Sequence, residues 1–255
     1  MSQDTEMTMV EHLAELRRVL IISLASTFVM AIACMVFADR VLEILLEPVS
    51  KTGNQMVYIN VTEALMTKIS LSFFLGFLAA LPIILWQFWG FIIPALRKME
   101  RVYFTLFITI SYLLFIAGIL FGFFGVYHLG IKFLMEFGGP ELLPMITIGN
   151  YISFTIKFLL PFGLVFELPL AALFLAQLGL ISYKFMTQKR KYAVLIAVVI
   201  SAAIIPTPDM ITPLLMASPM IILYEISAQI VRFIEWRKRK KAKQQEESEP
   251  EESEG

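Results

Sequence analysis

The side chains able to do chemistry in this chain are few, and they are mostly carboxylates. The two histidines, His12 and His128, sit far apart in sequence, and Cys34 stands alone in an apolar run. No His-based metal site, disulfide framework or catalytic triad can be assembled from these, so no bound metal is expected. No Gly-rich phosphate loop follows a strand, so no cofactor is expected and ATP-driven or proteolytic chemistry is disfavoured.

Four acids stand out by position. Glu15 lies in a segment where Met9, Leu13, Leu16 and Leu20 recur at helical spacing, while Glu11, Glu15 and Arg18 fall on a second face. Two readings stand for Glu15: a solvated face with an intrahelical Glu15–Arg18 pair of a few tenths of a kcal/mol, or a carboxylate offered at a surface. Glu100, among Arg97, Lys98 and Arg101, is either an internal salt bridge or half of a docking site for a cation. Glu167 and Glu225 lie inside long apolar stretches, where a carboxylate costs several kcal/mol unless paired, protonated or facing water. Pro169, two residues after Glu167, frees a backbone carbonyl and invites a kink.

The elements that hold these acids follow from hydropathy. Apolar residues make up 58 % of the 255 residues and charged ones 16 %, inverted relative to soluble domains. A bilayer core needs about 20 apolar residues as helix. The expected fold class is an all-α integral membrane protein with six transmembrane helices, over about 19–38, 64–94, 102–131, 151–180, 192–205 and 213–231. Residues 1–231 form this membrane domain, and 232–255 are expected to be a disordered, charged cytosolic tail. The acidic N-terminal segment argues against a cleaved signal peptide. Sixteen Lys and Arg fall in the segments that a cytosolic N-terminus would place inside, against three outside, which puts both ends in the cytosol. The fifth span is short, roughly 21 Å of helix. Between the first two spans, Val41 to Glu47 is expected to form an interfacial helix ended by Pro48.

Several strings, in order, resemble one family. His12-Leu13-Ala14-Glu15-Leu16-Arg17, the run from Pro82 to Leu96 followed by Glu100-Arg101, Phe166-Glu167-Leu168-Pro169, Pro208-Asp209 and Tyr224-Glu225 are similar to those of TatC, the polytopic subunit of the twin-arginine protein translocase. The resemblance covers nearly all of the chain up to the tail. It implies a curved, glove-like set of six helices in the cell membrane, with short fifth and sixth spans that thin the bilayer, and no enzymatic activity.

The resemblance also implies site residues. Glu15 and Glu100 would receive the two arginines of a signal peptide on the cytosolic side, with Arg17, Leu16 and Phe91 beside them; Leu16 is equally well explained as packing. Glu167 would contact TatA-type single-span partners, with Glu225 a second intramembrane acid. Pro48 and Asp209 match outer-loop positions. Implied partners are TatA-type and TatB-type proteins and twin-arginine signal peptides of folded substrates, in an oligomeric assembly driven by the proton-motive force.

Two positions depart from the family pattern. Val126-Tyr127-His128-Leu129 stands where a Phe-Pro pair is usual, so the third helix is expected to run further, and Pro213 replaces a common glutamine. The alternative function is a proton-coupled secondary transporter using Glu167, which would call for inverted repeats and broken helices in matching halves. No internal repeat is found.

Overall fold

In the computed structural model, residues 9–50, 56–92, 101–128, 130–131, 146–204 and 211–248 are described. They divide into two compact units, 1–160 and 161–255.

The first unit begins with α1 (Met9–Cys34), a 3-10 turn over Met35–Phe37, and α2 (Ala38–Ser50). The hydroxyls of Ser26 and Thr27 donate back to the Ser23 carbonyl at 2.9 and 2.8 Å, satisfying themselves within the helix. The strand pair β1 (Met56–Val57) and β2 (Ile146–Thr147) runs parallel, Met56 opposite Ile146. Between them lie α3 (Glu63–Ile92) and α4 (Arg101–Phe121), the latter continued by a π-helical turn over Gly122–Tyr127. α5 (Ile148–Phe166) follows and crosses the boundary between units.

The third helix does extend past the usual Phe-Pro position, since His128 is still helical. By contrast, Pro48 does not end the helix after the first span: α2 runs on to Ser50. Proline's fixed φ of about −65° is itself helical; the lost bond to the i−4 carbonyl and the crowding of that carbonyl are a cost that the last turn of α2 absorbs.

Small residues set the packing of α1 on α3. A Cβ added at Gly76 would lie 2.4 Å from the Ala31 nitrogen, so the two backbones touch, the close approach that small residues permit between membrane helices. Trp86 and Trp89 of α3 meet Phe104 and Phe107 of α4 edge to face at 5.0 and 4.7 Å. Glu63, at the start of α3, ties the loop ends: its carboxylate accepts from Ile59 N at 2.9 Å and Gly149 N at 3.0 Å. Lys68 pairs with Asp39 at 2.6 Å, and the Tyr151 hydroxyl donates to the Leu45 carbonyl at 2.7 Å.

The second unit holds the end of α5, then α6 (Leu168–Gln177), α7 (Tyr183–Ile204) and α8 (Ile211–Ser248). α5 and α6 are separated by a turn at Glu167, immediately before the Leu168-Pro169 start of the next helix. α6 ends in a Schellman motif. Gly179 adopts φ 77°, its N–H reaches the Ala176 carbonyl at 3.1 Å, and Leu180 N–H reaches Leu175 at 3.0 Å. Ala172, Ala176, Ala228 and Val231 form a small-residue core with Met186.

α8 differs from the expectation for the tail, since it stays helical from 231 to Ser248 instead of becoming disordered at 232. Residues 232–248 are mostly Arg, Lys, Gln, Glu and Ala, with no Gly or Pro, and those are the strongest helix formers. Five helical segments among the described residues are long and apolar enough to cross a membrane. α7 is not one of them, because Lys184, Lys189, Arg190 and Lys191 occupy its first half.

Candidate functional site

The Glu15 cavity stands at one end of the α1–α3 pair. Glu15, Arg18 and Val19 of α1 and Trp86, Gln87, Gly90 and Phe91 of α3 line a cavity of about 230 Å³. The close contact at Gly76 holds the two helices together some 14 residues away, roughly 21 Å of rise, and so fixes how the two ends meet. Gly90 leaves room on the α3 side: a Cβ there would meet nothing nearer than the Phe104 ring at 4.0 Å. The His12 ring stacks on Phe91 at 4.3 Å, with 22° between planes.

Glu15 is half-buried in this wall, and no ion pair ties it to another described residue. The result is a carboxylate that shares the wall of a roughly 230 Å³ cavity with the rings of Trp86 and Phe91. Such a site suits a guanidinium, which gives a bidentate charge-assisted pair to a carboxylate and stacks on aromatic faces.

The structure sorts the other sequence candidates. Phe91 joins Glu15, as the spacing of the two motifs alone does not reveal. Arg17 is exposed and does not line the cavity; Arg18 does. Leu16 is 38 % exposed, at the surface of α1 and not in the core. Glu100 and Asp209 lie outside the described residues. Pro48 is in the last turn of α2.

In the second unit, Glu167 sits at the α5–α6 break with its Oε1 buried. Its carbonyl accepts from Ala171 at 2.9 Å, starting the next helix. Glu225 is neutralised: Arg190 of α7 forms an ion pair with its Oε1, and Gln229 Nε2 donates to the same oxygen at 3.1 Å. An apolar cavity of about 350 Å³ lies in this unit, bounded by Leu164, Leu168, Ile196, Ile200, Met220 and Tyr224 among others.

Sequence reasoning missed the Arg190–Glu225 pair, the His12–Phe91 stack and the place of Arg18, not Arg17, in the cavity wall. A signal for the first existed, because an acid in the cytosolic half of an apolar span calls for a cation and the basic run 184–191 begins the neighbouring helix. The other two depend on how α1 and α3 cross.

Comparison with known proteins follows the same outline. The family model described as "Sec-independent protein translocase protein (TatC)" matches residues 11–219. A protein of that name from Carboxydothermus hydrogenoformans is 48 % identical over 232 residues, 91 % of this chain and 96 % of the relative. One from Aquifex aeolicus is 41 % identical over 225 residues, 87 % of this chain and 93 % of its own length. A crystal structure titled as the twin-arginine translocase receptor TatC superposes with a TM-score of 0.79 at 38 % identity, over 88 % of this chain and 99 % of that one.

Proposed function

This chain belongs to the TatC family, a non-enzymatic core component of the twin-arginine protein translocase and a multi-pass protein of the cell membrane, and on that premise we propose that its α1–α3 cavity receives the twin arginines of a signal peptide. The observation that carries the reading is Glu15, held open beside Phe91, Trp86 and Gln87 in a cavity of about 230 Å³. Glu100 is the second carboxylate of the pair, supplied by the segment that joins α3 to α4. Arg17 and Leu16 flank the site on the exposed face of α1 and contact the peptide outside the cavity.

The reading requires the cavity to face the cytosol. Six spans achieve this, with the apolar second half of α7 as the short fifth and both ends of the chain inside. The excess of Lys and Arg in the inner segments supports it. Working with the other components of the translocase, the second unit offers Glu167 and the neighbouring apolar cavity to TatA-type and TatB-type single-span helices. Glu225, already paired with Arg190, holds α7 to α8 beside that surface. Pro48 and Asp209 shape the outer loops. The proton-coupled transporter reading finds no support in relatives that are named as translocase components.

The test is export of a folded reporter in cells lacking their own TatC. This chain is expected to restore export of a twin-arginine signal but not of its two-lysine variant. A Glu15→Ala, Glu100→Ala double variant that exports normally and still crosslinks to the signal peptide would refute the site. For the partner surface, Glu167→Ala is expected to weaken co-purification of TatA-type proteins while leaving signal-peptide crosslinking intact.

A further inference from the structure

The extension of α8 beyond residue 231 has two faces with different employment. Val231, Ile234, Glu235 and Lys238 follow one another at i, i+3, i+4 and i+7 and turn inward. Val231 is fully buried and Ile234 packs on the same core. Glu235 Oε1 accepts the Tyr183 N–H at 2.9 Å, capping α7. Lys238 Nζ donates to the Ala176 and Gln177 carbonyls at 3.0 and 2.8 Å, capping α6. The segment is therefore fastened to its own unit, and its opposite face is presented in a fixed direction.

That opposite face carries Phe233, Trp236, Arg237 and Lys240, again at i, i+3, i+4 and i+7. The two rings are 54 % and 56 % exposed and stack at 6.0 Å. Arg237 lies 5.1 Å from the Phe233 ring centre, and Lys240 lies 5.6 Å from that of Trp236. On α7, Lys189 and Lys191 flank Tyr192 at 5.2 and 5.3 Å. From Arg232 to Lys243 there are seven cations and one acid, Glu235, and that acid is engaged inward.

We propose that this face binds the anionic phospholipid headgroups of the cytosolic leaflet; the leaflet rests on the orientation proposed above. Depth and charge both fit. Phe233 and Trp236 lie roughly 3 and 8 Å of helix rise beyond residue 231, where interfacial aromatic belts sit. The cations follow within about a Debye length of the surface, as juxtamembrane basic clusters do on acidic membranes. The rings hold Arg237 and Lys240 in place by cation–π attraction, so less side-chain freedom is lost when a phosphate arrives.

The test uses the purified, delipidated full chain in detergent, titrated with phosphatidylglycerol or phosphatidylcholine and read by native mass spectrometry. The wild type is expected to retain phosphatidylglycerol preferentially. An R237Q/K240Q variant, which spares Lys238 and Glu235, is expected to lose roughly ten- to thirtyfold in phosphatidylglycerol affinity. An F233A/W236A variant that keeps every charge is expected to lose several-fold, with unchanged thermal unfolding confirming that both variants fold. Equal retention of the two lipids by the wild type, or unchanged preference in R237Q/K240Q, overturns the proposal. So does a phosphatidylglycerol preference that emerges only after truncation following Gln245, which would make the acidic end of this chain the occupant. Separately, labelling of a C34S/S248C variant by an impermeant maleimide from outside intact cells overturns the leaflet assignment, a failure distinct from loss of headgroup preference.

Discussion

Glu15 and Glu225 are the same side chain in two opposite conditions. Glu225 lies in an apolar helix and is met by Arg190 and Gln229 from within its own unit. Glu15 lies at a helix end, walled by Trp86 and Phe91, with no ion pair to a described residue. A carboxylate in an apolar helix keeps its charge most readily when the protein itself supplies the counter-charge, because hydrocarbon supplies none. A carboxylate at the rim can be left open, since water solvates it until a ligand arrives. On the proposed reading, the receiving acid is marked less by its position in a span than by the lack of a cation from the described residues.

The comparison breaks most readily at Glu15. Glu15→Gln keeps the size and removes the charge, and it is expected to weaken binding of a fluorescent twin-arginine peptide by roughly ten- to a hundredfold, from the loss of about 1.5–3 kcal/mol of charge-assisted hydrogen bonding. Peptide anisotropy measures it, and an equal loss with the two-lysine peptide would contradict a bidentate contact. Next comes Gly76→Val, which drives a side chain into the Ala31 backbone. It is expected to cost about 1–3 kcal/mol by overpacking, seen as a lower unfolding temperature in detergent together with weaker peptide binding.

Smaller effects sharpen the contrast. Glu225→Ala leaves Arg190 with no carboxylate, whereas Arg190→Ala, Glu225→Ala together removes the pair. Both side chains are nearly half exposed, so the coupling expected from a double-mutant cycle on thermal unfolding is about 1 kcal/mol or less. Neither single variant is expected to change peptide affinity, which separates the structural acid from the receiving one. Phe91→Leu removes the stack with His12 and is expected to lower peptide affinity a few-fold, by about 0.5–1.5 kcal/mol.

Much of this was legible beforehand in particular strings. The apolar runs announced the helices, and Glu167-Leu168-Pro169 announced a break where α5 and α6 part. The motif His12 to Arg17 and the run from Pro82 announced the elements that form the cavity. Other features were not legible, and for a physical reason in each case. The tail was expected to be disordered because composition reports only net polarity. Residues 231–238 are instead held by the α6 and α7 termini, whose unsatisfied carbonyls and N–H groups Lys238 and Glu235 fill. Pro48 was expected to stop a helix that runs two residues further.

The sequence by itself determined that this chain lives in a bilayer, which family it belongs to, and which acids are candidates. Those properties are written in local composition and motif spacing, which survive without knowledge of any contact. Only the tertiary structure decided that Glu225 already has its cation and that Glu15 shares a cavity wall with Phe91. That depends on the Gly76–Ala31 approach, which aligns Glu15 with Phe91 across 76 residues of chain, and on the α7–α8 contact, which delivers Arg190 to Glu225. A cation and an acid 35 residues apart carry no mark of their pairing until packing has brought them together.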